Sequence, residues 1–306
     1  MIPRRVGNRV RETTCQVGWR TRLRTDATCQ TASVHVGGMQ VTAIIDGSID
    51  LPAEYLFPNT SPQDWAPHRE LLTDDGRLPL PMGGFLVESG DRKVLVDAGC
   101  GEPMPIKGFG RLLENLRASG VEPTEITDVV FTHLHFDHVG WATDAERKVV
   151  FPNATYRCHV ADLEFFFSPD LPEVQTGKLM GASISPPERL APIRERIAPF
   201  VGDETIAPGI DVRSAPGHTP GSTVIVLSSG TERGLLLGDV VHCPIELLDL
   251  EWQALGDVDR DLARRTREFW MREVEGGETP VAAAHFPGMQ FGRLLKGDGG
   301  RTFTFL

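Results

Sequence analysis

The sequence predicts an α/β protein in which two packed β-sheets are flanked by helices. Three observations carry this. Apolar runs of strand length outnumber helical ones in both halves, the helical stretches fall between groups of strands, and neither a repeat nor an interdomain linker interrupts the 306 residues. Hydrophobic residues make up 40% and charged residues 24%, which suits a folded domain and excludes a disordered or collagen-like chain. No apolar run approaches the roughly 18 residues that span a bilayer.

Residues 40–45 read as a strand closed by the turn Asp46-Gly47. Residues 50–82 carry Pro52, Pro58, Pro62, Pro67, Pro79 and Pro81 and read as an irregular functional loop or lid, with Tyr55, Phe57 and Trp65 on it. Strands at 84–88 and 93–97 flank the polar turn Ser89-Gly90-Asp91. Residues 112–118 form a helix ended by Gly120. Strands at 128–132 and 154–159 and helices at 160–167 and 188–197 follow. Strands at 210–214, 222–228 and 234–238, a longer helix at 257–274, and strands at 281–285 and 302–306 complete the chain.

The net charge of −11 argues against a nucleic-acid partner. It is uneven: residues 1–24 hold seven arginines against the single acid Glu12. We read a basic extension over 1–35 and one domain over 36–306. Arg4-Arg5 is followed by no apolar stretch, so a secretory signal is not expected. Five cysteines, Cys15, Cys29, Cys100, Cys158 and Cys243, without Cys-x-x-Cys, read as free thiols in the reducing cytoplasm, with a Cys15–Cys29 bridge left open.

The chemistry concentrates in Thr132-His133-Leu134-His135-Phe136-Asp137-His138-Val139-Gly140, directly after an apolar strand. Residues two apart in extended chain point the same way, so His133 and His135 can converge on one ion. Asp137 and His138 follow where the chain turns and can face a second. Imidazole and carboxylate are the usual ligands of zinc, iron or manganese. Three further ligand-type residues end apolar runs or sit in turn-rich loops: His218 in Pro216-Gly217-His218-Thr219-Pro220-Gly221, Asp239 after Leu235-Leu236-Leu237-Gly238, and His285 after Val281-Ala282-Ala283-Ala284.

The motif and the order of these residues resemble the metallo-β-lactamase-fold hydrolase superfamily over roughly residues 40–290. The resemblance implies an αββα sandwich with a dinuclear site at one sheet edge. It implies that His133, His135 and His218 hold one divalent ion, that Asp137, His138 and His285 hold the other, and that Asp239 bridges them. The metals are expected to be zinc, with iron, manganese or cobalt as alternatives. Asp97, in Val94-Leu95-Val96-Asp97-Ala98-Gly99, matches a further family motif and would orient a ligand histidine. Two such ions bring the pKa of a shared water towards neutrality and polarise a carbonyl or phosphoryl oxygen; Asp137 or Asp239 would hold or receive the proton.

Asp239-Val240-Val241-His242 and His285-Phe286-Pro287-Gly288 resemble the branch of N-acyl-homoserine lactonases and methyl-parathion-hydrolase-like triesterases. The lactonases carry a tyrosine three residues after the bridging aspartate, where this chain has His242, as the triesterase-like members do. The expectation is a dinuclear hydrolase of lactones or esters, with organophosphate triesters as further substrates and Asp137, Asp239 and His242 as catalytic residues. A β-lactamase, a thioesterase of the same superfamily and a non-catalytic metal- or ligand-binding protein are the alternatives. Phe136, Trp141, Phe165, Phe166, Phe167, Phe286 and Met289 suggest an apolar substrate pocket, and residues 50–82 are long enough to cross to the neighbour in a homodimer.

Overall fold

The computed structural model describes residues 33–298 and 300–306. The arginine-rich arm, Cys15 and Cys29 lie outside these residues, and the division expected between residues 35 and 36 falls within the first strand. Six strands form the first sheet: β1 (Ser33–Val36), β2 (Met39–Pro52), β3 (Arg77–Ser89), β4 (Arg92–Val96), β5 (Asp128–Val130) and β6 (Thr155–Arg157), in that spatial order. Seven form the second: β7 (Glu204–Ala207), β8 (Ile210–Ser214), β9 (Thr223–Ser229), β10 (Glu232–Leu236), β11 (Val281–Ala282), β12 (Gly292–Gly297) and β13 (Gly300–Phe305), also in sequential order. Both sheets are mixed: β4, β5 and β6 run parallel in the first, and β10 and β11 in the second.

The helices are α1 (Ala53–Leu56), α2 (Leu112–Ala118), α3 (Phe136–Val139), α4 (Val160–Phe166), α5 (Pro186–Leu190), α6 (Ile245–Leu248) and α7 (Arg260–Val274), joined by short 3₁₀ turns. Strand alternation explains the layers. Phe85, Val87, Val94 and Val96 face the second sheet, where they meet Ile225, Leu227 and Leu236. Leu86 and Leu95 point the other way, to α2, α4 and α5. Val224, Val226 and Leu235 turn outward to Trp270 and Met271 of α7. Every central strand is therefore apolar on both faces, and the expected αββα sandwich is the observed fold.

Two expectations fail locally. The chain does not turn at Asp46-Gly47: β2 continues through a register shift between Ile45 and Gly47 and pairs with β3 as far as Pro52. The irregular segment thus shrinks to 53–76. The 50–82 prolines mislead because Pro79 and Pro81 lie within a strand that the long β2 partner holds in place. Asp46 is instead a buried acceptor. It takes bonds from Cys100 N (2.9 Å), Gly101 N (3.3 Å), Leu112 N (2.8 Å) and Trp141 Nε1 (2.8 Å). Within 53–76, Phe57 and Trp65 are buried and meet Trp252 of the same chain, with centroids 5.8 and 4.7 Å away, while Tyr55 stays exposed.

Asp46→Ala would strand four buried N–H groups. We expect a loss of about 3–4 kcal/mol, measured as a lower urea midpoint at unchanged slope.

Candidate metal centre

The predicted ligands stand on loops at strand ends. His133, His135, Asp137 and His138 occupy the turn after β5 and the start of α3, His218 the β8–β9 loop, Asp239 the turn after β10, and His285 the loop after β11. The structure brings all seven together at one edge of the sandwich, with His133, His138, His218, Asp239 and His285 at most 6% exposed. Gly238 permits this approach: it has φ +52°, and a Cβ there would lie 2.9 Å from Thr132.

The inward atoms form overlapping groups. His135 Nδ1 lies 2.9 Å from His133 Nε2 and 3.0 Å from His218 Nε2. Asp137, His138 and His285 make a second buried group. Asp239 stands between them: its Oδ2 is 3.2 Å from His285 Nε2, 3.6 Å from His218 Nε2 and 3.8 Å from His133 Nε2, and its Oδ1 is 3.3 Å from His138 Nε2.

Each ring is held from behind. The Nδ1 atoms of His138, His218, His285 and His133 face Asp97 Oδ2 (2.9 Å), Asp257 Oδ1 (3.0 Å), the Pro81 carbonyl (2.8 Å) and Thr132 Oγ1 (3.2 Å). His135 is turned the other way round, with Nε2 against Gln175 Oε1 at 2.5 Å and Nδ1 inward. Outer acceptors of this kind place the ring proton outside and leave the inner nitrogen a lone pair. Among the described residues, buried His138 Nε2 and Asp239 Oδ1 have no hydrogen-bond partner. Converging lone pairs, a shared carboxylate and orphaned buried atoms fit a divalent cation.

Electrostatics agree at His133 and His135, whereas at His138 the surrounding carboxylates favour a proton in the place a cation would take. Burial, and the neighbouring His138, hold His133 well below the ordinary imidazole pKa; burial and His218 bring His135 down to about 4. Both are therefore neutral near pH 7, as a metal ligand must be. Burial works against the charged forms of His138 and Asp239 too. It is outweighed at His138 by Asp239, Asp97 and Asp137, which raise its pKa well above the ordinary value, and at Asp239 by His285, His138 and His242, which lower its pKa well below.

Asp97 stands where the sequence motif implies, behind a candidate ligand histidine. Held at φ +62°, it accepts Thr132 N and Oγ1, each at 2.8 Å, as well as facing His138. His242 Nε2 is 3.4 Å from Asp239 Oδ2. The expected apolar pocket is largely core: Trp141, Phe166, Phe286 and Met289 are buried, because they sit on inward faces of the layers, and Trp141 is tied to Asp46. Phe136, Phe165 and Phe167 are half-buried. Ser222 is structural, its Oγ accepting from Thr219 N at 2.8 Å.

Several contributing residues escape sequence reading. Asp257, read as helical, lies before α7 and faces His218. Gln175 carries no motif at all. Asp162, inside α4, joins two ligand loops by accepting Leu134 N (3.1 Å), Thr219 Oγ1 (3.0 Å) and Gly221 N (2.6 Å).

The sequence pattern of the Metallo-beta-lactamase superfamily matches residues 84–284. The chain belongs to this superfamily. The probable metallo-hydrolase MJ0888 of Methanocaldococcus jannaschii is 27% identical over 154 residues, covering 50% of this chain and 64% of that protein. An N-acyl homoserine lactonase of a Bacillus species is 23% identical over 185 residues, covering 54% and 66%. The chain thus spans slightly under two thirds of the length of these relatives. Among solved superfamily structures, the hydrolase AbOPH aligns with a TM-score of 0.79 at 26% identity, covering 92% of this chain and 98% of that one. AidC, a dizinc quorum-quenching lactonase solved with a product, aligns with a TM-score of 0.78 at 23% identity over 90% and 96%, a likeness of fold.

Burial pushes Asp162 up to about 6, against the bonds from Thr219, Gly221 and Leu134. Its folded pKa lies above the ordinary 3.8, so the folded chain favours the neutral form. The associated stability is full below pH 3.8 and is lost as pH rises through about 6, roughly 3 kcal/mol in all. Urea midpoints of wild type and Asp162→Asn between about pH 3.5 and 7 should show this decline in the wild type and a flatter profile in the variant.

Proposed function

We propose that the chain is a dinuclear metal-dependent hydrolase that opens a lactone or carboxylic ester, with organophosphate triesters as a further substrate class. The observation that carries this reading is the sharing of Asp239 between two buried ligand groups, His133–His135–His218 and Asp137–His138–His285. In this reading the first group holds one divalent ion, the second holds another, and Asp239 reaches both; zinc is the expected metal, with iron, manganese or cobalt as alternatives. When bound, such a pair supplies Lewis acidity and a water activated near neutral pH.

The remaining work falls to side chains of this chain. Asp239 is ringed by histidines that keep its proton off, so we assign proton acceptance to Asp137, at 8% exposure the more accessible of the two carboxylates. His242 meets the cluster through Nε2 and has Glu246 on its Nδ1 side at 3.6 Å. Burial disfavours its charge, but Asp239 and Glu246 outweigh burial and raise it to about 10. A protonated Nε2 there would donate to the carbonyl or leaving-group oxygen of a substrate. Buried free thiols at Cys100, Cys158 and Cys243 support the cytoplasmic setting we infer. Among the described residues, no helix is long and apolar enough to cross a membrane.

Purified protein should carry two metal equivalents by elemental analysis. It should hydrolyse a γ-lactone or aryl ester, lose that activity to a chelator and regain it with zinc or cobalt. Metal-replete protein inert towards lactones, esters and phosphotriesters would overturn the reading. His242→Ala is expected to retain both equivalents and to lower kcat about 10–100-fold.

A further inference from the structure

Behind the cluster lies a buried guanidinium, Arg267, that none of the assigned roles uses. Arg267 sits in the interior of α7 and is fully buried. Its Nε donates to the Val240 carbonyl at 2.9 Å and its Nη1 to the Trp252 carbonyl at 3.0 Å. Its Nη2 lies between two buried carboxylates, 3.1 Å from Glu246 Oε1 and 3.5 Å from Asp257 Oδ2, aligned for a hydrogen bond with neither. Each carboxylate turns its other oxygen to a histidine. Asp257 Oδ1 is 3.0 Å from His218 Nδ1. Glu246 Oε2 is 3.6 Å from His242 Nδ1 and also accepts the backbone N–H groups of His242 (2.6 Å) and Cys243 (3.1 Å). The two histidines meet again at Asp239 Oδ2, 3.6 and 3.4 Å from their Nε2 atoms. The six side chains therefore close a ring: Asp239, His218, Asp257, Arg267, Glu246, His242.

We propose that Arg267 is a positioning residue that sets two histidines at once: His218 towards a cation through Asp257, and His242 towards the substrate through Glu246. The roles of the two histidines rest on the function proposed above. One guanidinium faces two carboxylates, so neither acid is left as an uncompensated buried charge, and the plane of the fork fixes the separation of the loops at 239–246 and 252–257. A guanidinium serving packing alone would have no need of a carboxylate–histidine pair on each side.

The test uses full-length protein loaded with cobalt(II), whose d–d band reports the ligand field, and a γ-lactone substrate. Arg267→Met should weaken cobalt binding about tenfold in competition with a chelator, shift the band, and lower kcat at least tenfold with KM within twofold. Asp257→Asn should reproduce the band shift. Glu246→Gln should keep cobalt affinity within twofold yet lower kcat, which separates the two branches. Should Arg267→Met be insoluble, Arg267→Lys keeps the charge without the fork and should show the same two losses in smaller measure. An Arg267 variant that loses thermal stability alone, with band, affinity and kcat within twofold of wild type, would overturn the proposal. The cobalt readouts need no turnover, so an inactive wild type would sink the hydrolase reading and leave Arg267 to be judged on the band and the affinity.

Discussion

The centre depends on one constraint: an imidazole offers a lone pair inward only while its other nitrogen has an acceptor outward. Asp97, Asp257, Thr132, Gln175 and the Pro81 carbonyl meet that requirement for five rings. These acceptors are scattered over the fold. They come from the end of β4, the turn after β5, the interior of β3, the segment before α7 and the strap after α4, so the arrangement of layers becomes the orientation of rings.

The loops are fastened by the same means. Buried carboxylates tie loops together at two places: Asp46 holds the 99–101 turn, the start of α2 and Trp141, and Asp162 joins the His133–His135 turn to the His218 loop. A single carboxylate can accept several N–H groups, and loop ends present N–H groups that the sheets leave unpaired. Glycines make the tight approaches workable. At Gly217 (φ +139°) a Cβ would fall 2.3 Å from Ala263 N, so the His218 loop can rest against the start of α7 only without a side chain there.

Much of this was legible in the chain. Short apolar runs marked the central strands because both faces are covered, and α2 falls on the span read as a helix ended by Gly120. The seven clustered side chains stood out because few roles besides metal binding set histidine and aspartate so regularly at the ends of apolar runs. What escaped was long-range. Asp46-Gly47 has turn chemistry, but pairing with β3 overrides it. Gln175, Asp162, Glu246 and Arg267 have ordinary local surroundings, and their partners lie up to 59 residues away. Aromatic residues near the motif looked like a pocket wall because sequence proximity does not reveal which face of a layer a ring occupies.

The clustered side chains are drawn from both sheets. A cation seated among them would act as a clasp across the edge of the sandwich, absent from the unfolded chain, whose ligands lie as far apart as residues 133 and 285. Occupancy and folding are then thermodynamically linked. The cell's supply of metal would set how long each copy of the protein survives as well as how many copies are competent.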